Sequence, residues 1–470
     1  MLVGVVLGKA VEEILQQIEE LKGKVDLAEV RLDYLDESAW PKIALLKEKA
    51  CLPLLFTFRK KEQGGRFALE EKKRLALYEK ALSLQPAYAD IEADTDPDFI
   101  RNIKHLSPQT ALIGSFHDME KTPEDLSALV KSMHNPHFSL YKIAAHANST
   151  LDLMRLMVFT REMTKTIPLS CISLGPYGQP SRVLGPIVGN VLNYTSFQDA
   201  LGSLYQYSLD TLQNLYGFSH LTKETKIYAL LGNPVEASQG HLFHNEYFRR
   251  ENIHAVYVKL RLGASELKSF FSLAKKLPFG GFSVTMPLKE AVIPFLTQVD
   301  PEALSIGAVN TIVIRGSDLS GFNTDGKGAL STLEAHEKVR GKKVAILGAG
   351  GSAKAIAYEA LRRGAEVMLF NRTLSRAEQV AKKLGCKAYA LDALSAHPYD
   401  FLINTIPPHS SGQLPVLAKD LLPNALLMDI NPVTLSPPLL RFAKENNRRC
   451  LDGSWMFEEQ ARLQQLAFNS

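Results

Sequence analysis

Short apolar runs recur along the first half of the chain, and between them lie stretches whose apolar residues return every three or four positions. The runs are Leu2–Leu7, Leu27–Leu32, Leu54–Phe58, Tyr88–Glu92, Ala111–Phe116, Phe138–Ile143, Leu169–Leu174 and Val191–Phe197. The periodic stretches include Ala10–Leu21, Leu69–Leu84, Glu124–Met133 and Thr150–Thr164, and Pro123 with Glu124 reads as a helix start. Eight strand–helix units in roughly 220 residues predict a (β/α)8 TIM barrel. Polar Ser219 to Lys226 carries no apolar periodicity and reads as a linker. Strand–helix alternation then restarts with Lys226–Leu231, Ala255–Lys259, Gly281–Thr285 and Asn310–Ile314.

The stretch from Lys343 to Arg376 is the most legible. An apolar strand, Val344–Leu347, runs into Gly348, Ala349, Gly350 and Gly351; an Ala-rich helix follows from Ser352 to Arg363, then a second strand, Glu366–Phe370. This is a βαβ unit with a glycine turn where a dinucleotide pyrophosphate sits, the mark of a Rossmann domain. Glycine lets the backbone approach the phosphates, and the helix start offers free N–H groups. After the second strand an NAD site usually carries a carboxylate to accept from the ribose 2′-hydroxyl. Here the chain reads Asn371-Arg372-Thr373, with Arg376 close behind, and guanidinium groups suit a 2′-phosphate. The cofactor expected is NADP.

A length of 470 residues implies two or three domains. The net charge of +4 is mild, and no basic run argues for nucleic acid. Cys51, Cys171, Cys386 and Cys450 are scattered, which fits free thiols in a reducing compartment, the cytoplasm, better than disulfides or a zinc site; no metal is expected. The apolar N-terminus has no cationic lead-in or cleavage site, and nothing approaches the length of a membrane span.

A barrel places its chemistry at the C-terminal ends of the strands. The polar residues in or just after these strands are Glu29, Arg31, Asp33, Arg59, His117, Lys142 and, beyond the seventh, Arg182. Lys142 stands in an apolar strand, where desolvation would lower its pKa and free a nucleophile toward a carbonyl. A lysine that only snorkels or pairs with Glu29 is the alternative, as is a Glu29–Arg31 pair across a barrel layer. In the second half, Ser283 and Thr285 stand at a strand end, Lys289 near a helix start and Asp325 in a glycine-flanked loop.

Five segments, AEVRLD, LLFTFRKKEQGG, GSFHDMEKTP, SLYKIA and GQPSR, resemble type I 3-dehydroquinate dehydratase from the first residues to about Phe218. The resemblance implies a Schiff base between Lys142 and the C3 carbonyl of 3-dehydroquinate. His117 would move the C2 proton and protonate the leaving hydroxyl, and Glu29 would orient His117. Arg182 would hold the substrate carboxylate, with Arg31, Arg59, Ser203 and Gln206 completing the pocket. Gln63 stands where that family often has glutamate, and the family's SAPGQ loop reads GSLYQ here.

From Lys226 onward, GNPVEAS, GFSVTMPLKE, GAVNTI, GFNTDG, GAGGSA, NRTLSR and DGSWMFEEQA resemble shikimate dehydrogenase. That implies a substrate domain over 226–335, completed by a C-terminal helix over 453–470, and an NADP domain over 336–452; the barrel takes 1–218 and the linker 219–225. Lys289 and Asp325 would be the catalytic pair for reducing 3-dehydroshikimate to shikimate, with Ser238, Thr285, Asn310 and Gln460 on the substrate. The glycine turn through Ser352 and Asn371, Arg372, Thr373 and Arg376 would hold NADPH. Gly240 and His241 stand where the family has a second serine and a proline. The two halves together imply a bifunctional shikimate-pathway enzyme. Two other readings remain at this point: an NAD-dependent quinate or shikimate oxidoreductase, and a ligand-sensing module without turnover.

Overall fold

Eight parallel strands form the first sheet: β1 (Leu2–Val6), β2 (Leu27–Arg31), β3 (Leu54–Thr57), β4 (Tyr88–Glu92), β5 (Ala111–Asp118), β6 (Phe138–His146), β7 (Leu169–Leu174) and β8 (Asn193–Ser196). Their order is β7-β6-β5-β4-β3-β2-β1-β8, the order of a barrel opened between β7 and β8. The computed structural model describes residues 1–66, 70–196, 206–408 and 413–469. It comprises two compact units, one of Met1–Thr225 with Asn252–Val256 and Ser269–Pro278, the other of Lys226–Glu251, Tyr257–Lys268 and Phe279–Ser470. The expected (β/α)8 barrel is the fold of the first unit, with its sheet nearly closed.

Alternation along the strands explains where its chemistry lies. Leu27, Leu55, Ile113 and Leu140 join Val3, Val5, Ile172 and Tyr194 in one buried apolar cluster. Two residues further along the same strands come Glu29, Thr57, Ser115 and Lys142, and two further again Arg31, Arg59 and His117. The interior is therefore apolar at the start of the strands and charged at their C-terminal ends. β5 and β6 run past the expected limits of Phe116 and Ile143, so His117 lies within a strand. One helix start differs from expectation: Asp125, not Pro123–Glu124, caps it, its carboxylate accepting from the Ala128 N–H at 2.8 Å, and the helix runs Leu126–Ser132.

Two six-stranded sheets follow, in the second unit except for Ala255 and Val256 at the start of one strand. The first has β9 (Lys226–Gly232), β10 (Ala255–Arg261), β11 (Phe279–Val284), β12 (Gln298–Val299), β13 (Thr311–Arg315) and β14 (Asp318–Phe322), in the order β10-β9-β11-β13-β14-β12. β13 and β14 form an antiparallel hairpin that turns at Gly316, whose φ is +61°. The other has β15 (Lys343–Leu347), β16 (Glu366–Asn371), β17 (Lys387–Ala390), β18 (Phe401–Asn404), β19 (Leu426–Asp429) and β20 (Cys450–Leu451). Its strands pair in parallel, in the order β17-β16-β15-β18-β19-β20, which reverses between β15 and β18 as in a dinucleotide-binding sheet.

Asp325 is not in a loop, as the flanking glycines suggested, but is the first residue of the helix Asp325–Glu334. The glycines serve close helix packing instead. A Cβ on Gly326 would lie 2.2 Å from the Ala355 carbonyl oxygen of the helix Gly351–Arg362. A Cβ on Gly328 would lie 2.9 Å from the Gln460 nitrogen of the helix Gly453–Asn469. Among the described residues no helix is long and apolar enough to cross a membrane.

Gly326→Ala should force these helices apart and destabilise the second unit by about 2 kcal/mol or more. Thermal denaturation checks this; an unchanged melting temperature contradicts the packing described.

Candidate functional site

In the barrel, Lys142 is 5 % exposed although it is a lysine. Its Nζ lies 2.9 Å from Asp90 Oδ2, 3.6 Å from Glu29 Oε1 and 4.2 Å from the centre of the Tyr194 ring. Arg59 binds Asp90 at 2.6 Å, Glu92 at 3.0 Å and the Ser115 hydroxyl at 2.8 Å. Burial opposes ionisation of Asp90, but Arg59 and Lys142 hold its carboxyl well below the usual carboxylate range. His117 is half-buried. Desolvation, with Arg59 and Lys142 beside it, pushes its pKa well below the usual 6.5, so the ring is neutral and can accept a proton.

The expected contact between Glu29 and His117 is not made. Glu29 accepts instead from the Thr57 hydroxyl at 2.7 Å and faces Lys142. His117 is held by Gln63, whose Oε1 accepts from the His117 backbone N–H at 3.1 Å and lies 3.3 Å from Nδ1. The reason is strand position: Glu29 is level with the lysine, whereas His117 stands one alternation higher, beside the loop after β3. Arg31 is bound to Asp33 through two contacts of 2.8 Å rather than to Glu29.

Arg182 is buried, and its Nε has no partner among the described residues. Burial draws its pKa down to about 10, against the pull of Glu29. A buried guanidinium with a free N–H is poised for an anion. Gln206 Oε1 is also buried without a partner among the described residues; Ser203 lies outside them.

In the second unit, Lys289 follows β11 on the short helix Leu288–Ala291, and its Nζ is hydrogen-bonded to Asp325 Oδ2. Asn310 Nδ2 donates to Asp325 Oδ1 at 2.7 Å and to Gln460 Oε1 at 3.3 Å, and Thr324 joins the same group. Behind it, Ser283 donates to Gln464 Oε1 at 2.9 Å, and Gln464 Nε2 donates to the Asn310 carbonyl at 3.0 Å. Thr285 lies just past β11, and Ser238 accepts from the Gly240 N–H at 3.2 Å; both are half-buried and neither bonds to the Lys289–Asp325 pair. His244 packs in the floor, 1 % exposed and stacked on Tyr257 at 4.5 Å.

The glycine turn is open enough for a dinucleotide. Gly348 has φ +113°, and a Cβ there would lie 2.4 Å from Thr405 Oγ1; a Cβ on Gly350 would meet nothing within 4 Å. Ala349 is buried, and Ser352 Oγ bonds to both Lys289 and Asp325. Asn371 Nδ2 donates to the Thr373 carbonyl at 2.9 Å, shaping the turn after β16. Arg372 and Arg376 are exposed there. The turn and its exposed cations fit a phosphorylated dinucleotide.

Sequence reasoning missed Asp90, Glu92 and Tyr194 in the barrel, and Thr324 and Gln464 in the second unit. The signal for the first two was present: in YADIE two carboxylates alternate along an apolar strand, the same oddity that marked Lys142.

A barrel with an amine and a histidine at its strand ends, continued by a Rossmann-type sheet with a lysine–aspartate pair beside its glycine turn, is the architecture of an enzyme with two active sites. The type I 3-dehydroquinase model matches residues 3–223, the shikimate dehydrogenase substrate-binding domain 230–312 and shikimate/quinate 5-dehydrogenase 331–419. The shikimate biosynthesis protein AroDE of Chlamydia pneumoniae is 34% identical over 99% of this chain and 94% of its own length. The chloroplastic bifunctional 3-dehydroquinate dehydratase/shikimate dehydrogenase of Arabidopsis thaliana is 34% identical over 93% of this chain and 76% of its own. Shikimate dehydrogenase (NADP(+)) of Pyrococcus furiosus is 40% identical over 50% of this chain and 86% of its own. The chain belongs to the family of bifunctional 3-dehydroquinate dehydratase/shikimate dehydrogenases, a lyase and an oxidoreductase of the shikimate pathway on one polypeptide.

Burial brings the pKa of His244 down to about 3, and burial with Lys259 nearby brings that of His241 down to about 4. Both folded-state values are depressed, so the fold requires neutral rings. Their contribution is whole above about pH 6.5 and is lost as pH falls through the range down to the folded values. His244→Phe keeps the ring and removes the titration. Its melting temperature should fall less steeply than the wild type's between about pH 6.5 and about pH 4; equal slopes contradict this.

Proposed function

We propose that the barrel dehydrates 3-dehydroquinate through a Schiff base on Lys142, and that the second unit reduces the resulting 3-dehydroshikimate to shikimate with NADPH. The carrying observation is that each site holds a lysine amine against a buried carboxylate, Lys142 against Asp90 and Lys289 against Asp325.

In the barrel, the Lys142 nitrogen adds to the C3 carbonyl once its proton passes to a neighbouring carboxylate, and water leaves to give the iminium. The iminium acidifies C2, from which the neutral His117 takes a proton. The enamine so formed expels the C1 hydroxyl, His117 returns the proton to it, and water departs. Hydrolysis of the iminium then frees the lysine. Arg182 holds the substrate carboxylate, and Ser203 and Gln206 bind hydroxyl or carboxylate oxygens. Glu29 and Asp90 position the lysine, and Gln63 steadies the ring of His117.

In the second unit, bound NADPH would supply the hydride for the C3 carbonyl carbon. Lys289 and Asp325 polarise the carbonyl oxygen and deliver its proton. Ser238, Thr285, Asn310 and Gln460 bind the carboxylate and hydroxyls. Gly348, Ala349, Gly350 and Gly351 give the pyrophosphate close approach to the backbone, and Asn371, Arg372, Thr373 and Arg376 hold the 2′-phosphate. The four free cysteines support action in a reducing compartment, the cytoplasm.

Borohydride added to the enzyme with 3-dehydroquinate should trap one adduct per chain, on Lys142 by peptide mass spectrometry; label on any other residue refutes the barrel mechanism. Arg372→Ala combined with Arg376→Ala should reduce the preference for NADPH over NADH by about tenfold or more, since two charge-assisted contacts are lost. A wild-type enzyme that favours NADH would overturn the cofactor assignment.

A further inference from the structure

The glycine turn of the nucleotide sheet and the Lys289–Asp325 pair are joined through one hydroxyl. Ser352 is the second residue of the helix Gly351–Arg362. Its Oγ accepts from Lys289 Nζ at 2.9 Å and donates to Asp325 Oδ2 at 3.1 Å, closing a ring with the Lys289–Asp325 bond. A hydroxyl has one proton to donate, and here it goes to the aspartate.

Two neighbours make the same join. Lys354 Nζ lies 2.7 Å from Glu290 Oε2, so the residue after Lys289 is also tied to the helix after the turn. Gly351 lets the two chains approach: a Cβ there would lie 3.1 Å from Lys289 Cβ and 3.2 Å from its Cδ. The lysine stem therefore lies against the turn itself.

We infer that Ser352 is a positioning residue for the reduction: it fixes the amine of Lys289 and the carboxylate of Asp325 relative to the turn that seats the dinucleotide. This rests on the reading of Lys289 and Asp325 as the catalytic pair. Its physical content is geometric. Hydride and proton must reach one carbonyl from two groups, and Ser352 joins the element that seats the first to the pair that delivers the second. A hydroxyl serving only the cofactor would face the phosphates and leave the pair to itself.

The two roles separate in kinetics. Ser352→Ala should lower kcat for 3-dehydroshikimate reduction roughly tenfold, the scale of one hydrogen bond to a charged group, while the NADPH dissociation constant stays within about twofold. Ser352→Thr keeps the hydroxyl and should recover most of kcat. NADPH binding followed by fluorescence titration also reports whether each variant is folded. A weakened NADPH dissociation constant with kcat unchanged would overturn the inference and leave Ser352 a cofactor ligand. Equal losses in the Ala and Thr variants would also overturn it, because the hydroxyl would then be irrelevant. Lys289→Ala, assayed in parallel, tests the underlying reading by itself: it should abolish reduction whatever Ser352 does, and retained reduction would remove the catalytic pair and this role with it.

Discussion

An amine taken out of water must be matched by carboxylates, and this constraint shapes the barrel interior. An isolated buried charge costs several kcal/mol after relaxation, and removing one member of a buried pair leaves that penalty exposed. Lys142 and Arg59 are both 5 % exposed or less, and they share the carboxylate of Asp90. Glu92 completes Arg59 and also faces Arg74 at 3.2 Å, so a chain of alternating charge runs from Lys142 outward to Glu71. Such a chain holds its members in one geometry, which the Schiff base proposed for Lys142 needs if its nitrogen is to meet a carbonyl at the right angle. Desolvation, helped by the same positive charges, keeps His117 neutral. In the barrel, Arg182 keeps a buried Nε without a partner among the described residues, which suits an anionic substrate.

The second unit meets the constraint with fewer groups and closer backbones. Lys289 is neutralised by Asp325, and Asp325 is oriented by Asn310 and Ser352. These four residues come from different elements, and glycines at 326, 328 and 351 allow those elements to touch. Packing thus sets the geometry: a methyl group at Gly326 would displace the helix that starts with Asp325.

Much of this was legible in the sequence because strand alternation and the glycine turn are local signals. The limits of β4 and β7 were read correctly, and the dinucleotide unit was found to within a residue or two. Lys142 stood out because a charge in an apolar strand is locally anomalous. What failed to show was partnership. Nothing within five residues of Glu29 says whether it faces His117 or Thr57; the barrel's strand stagger decides that. Gln63 was noted only as a departure from family pattern, yet it is the residue on His117. Ser352 read as part of a phosphate turn, and only the fold brings Lys289 to it across more than sixty residues of chain. The edge strands β12 and β20, two residues each, are too short to leave a periodic trace.

The most direct measurement follows loss of nicotinamide absorbance when purified protein is given 3-dehydroquinate and NADPH, for the wild type and for Lys142→Ala and Lys289→Ala. The wild type should consume NADPH. Lys142→Ala should do so only when given 3-dehydroshikimate, and Lys289→Ala should accumulate 3-dehydroshikimate without consuming NADPH. Wild-type consumption of NADPH from 3-dehydroquinate by Lys142→Ala would contradict a barrel built around that buried amine.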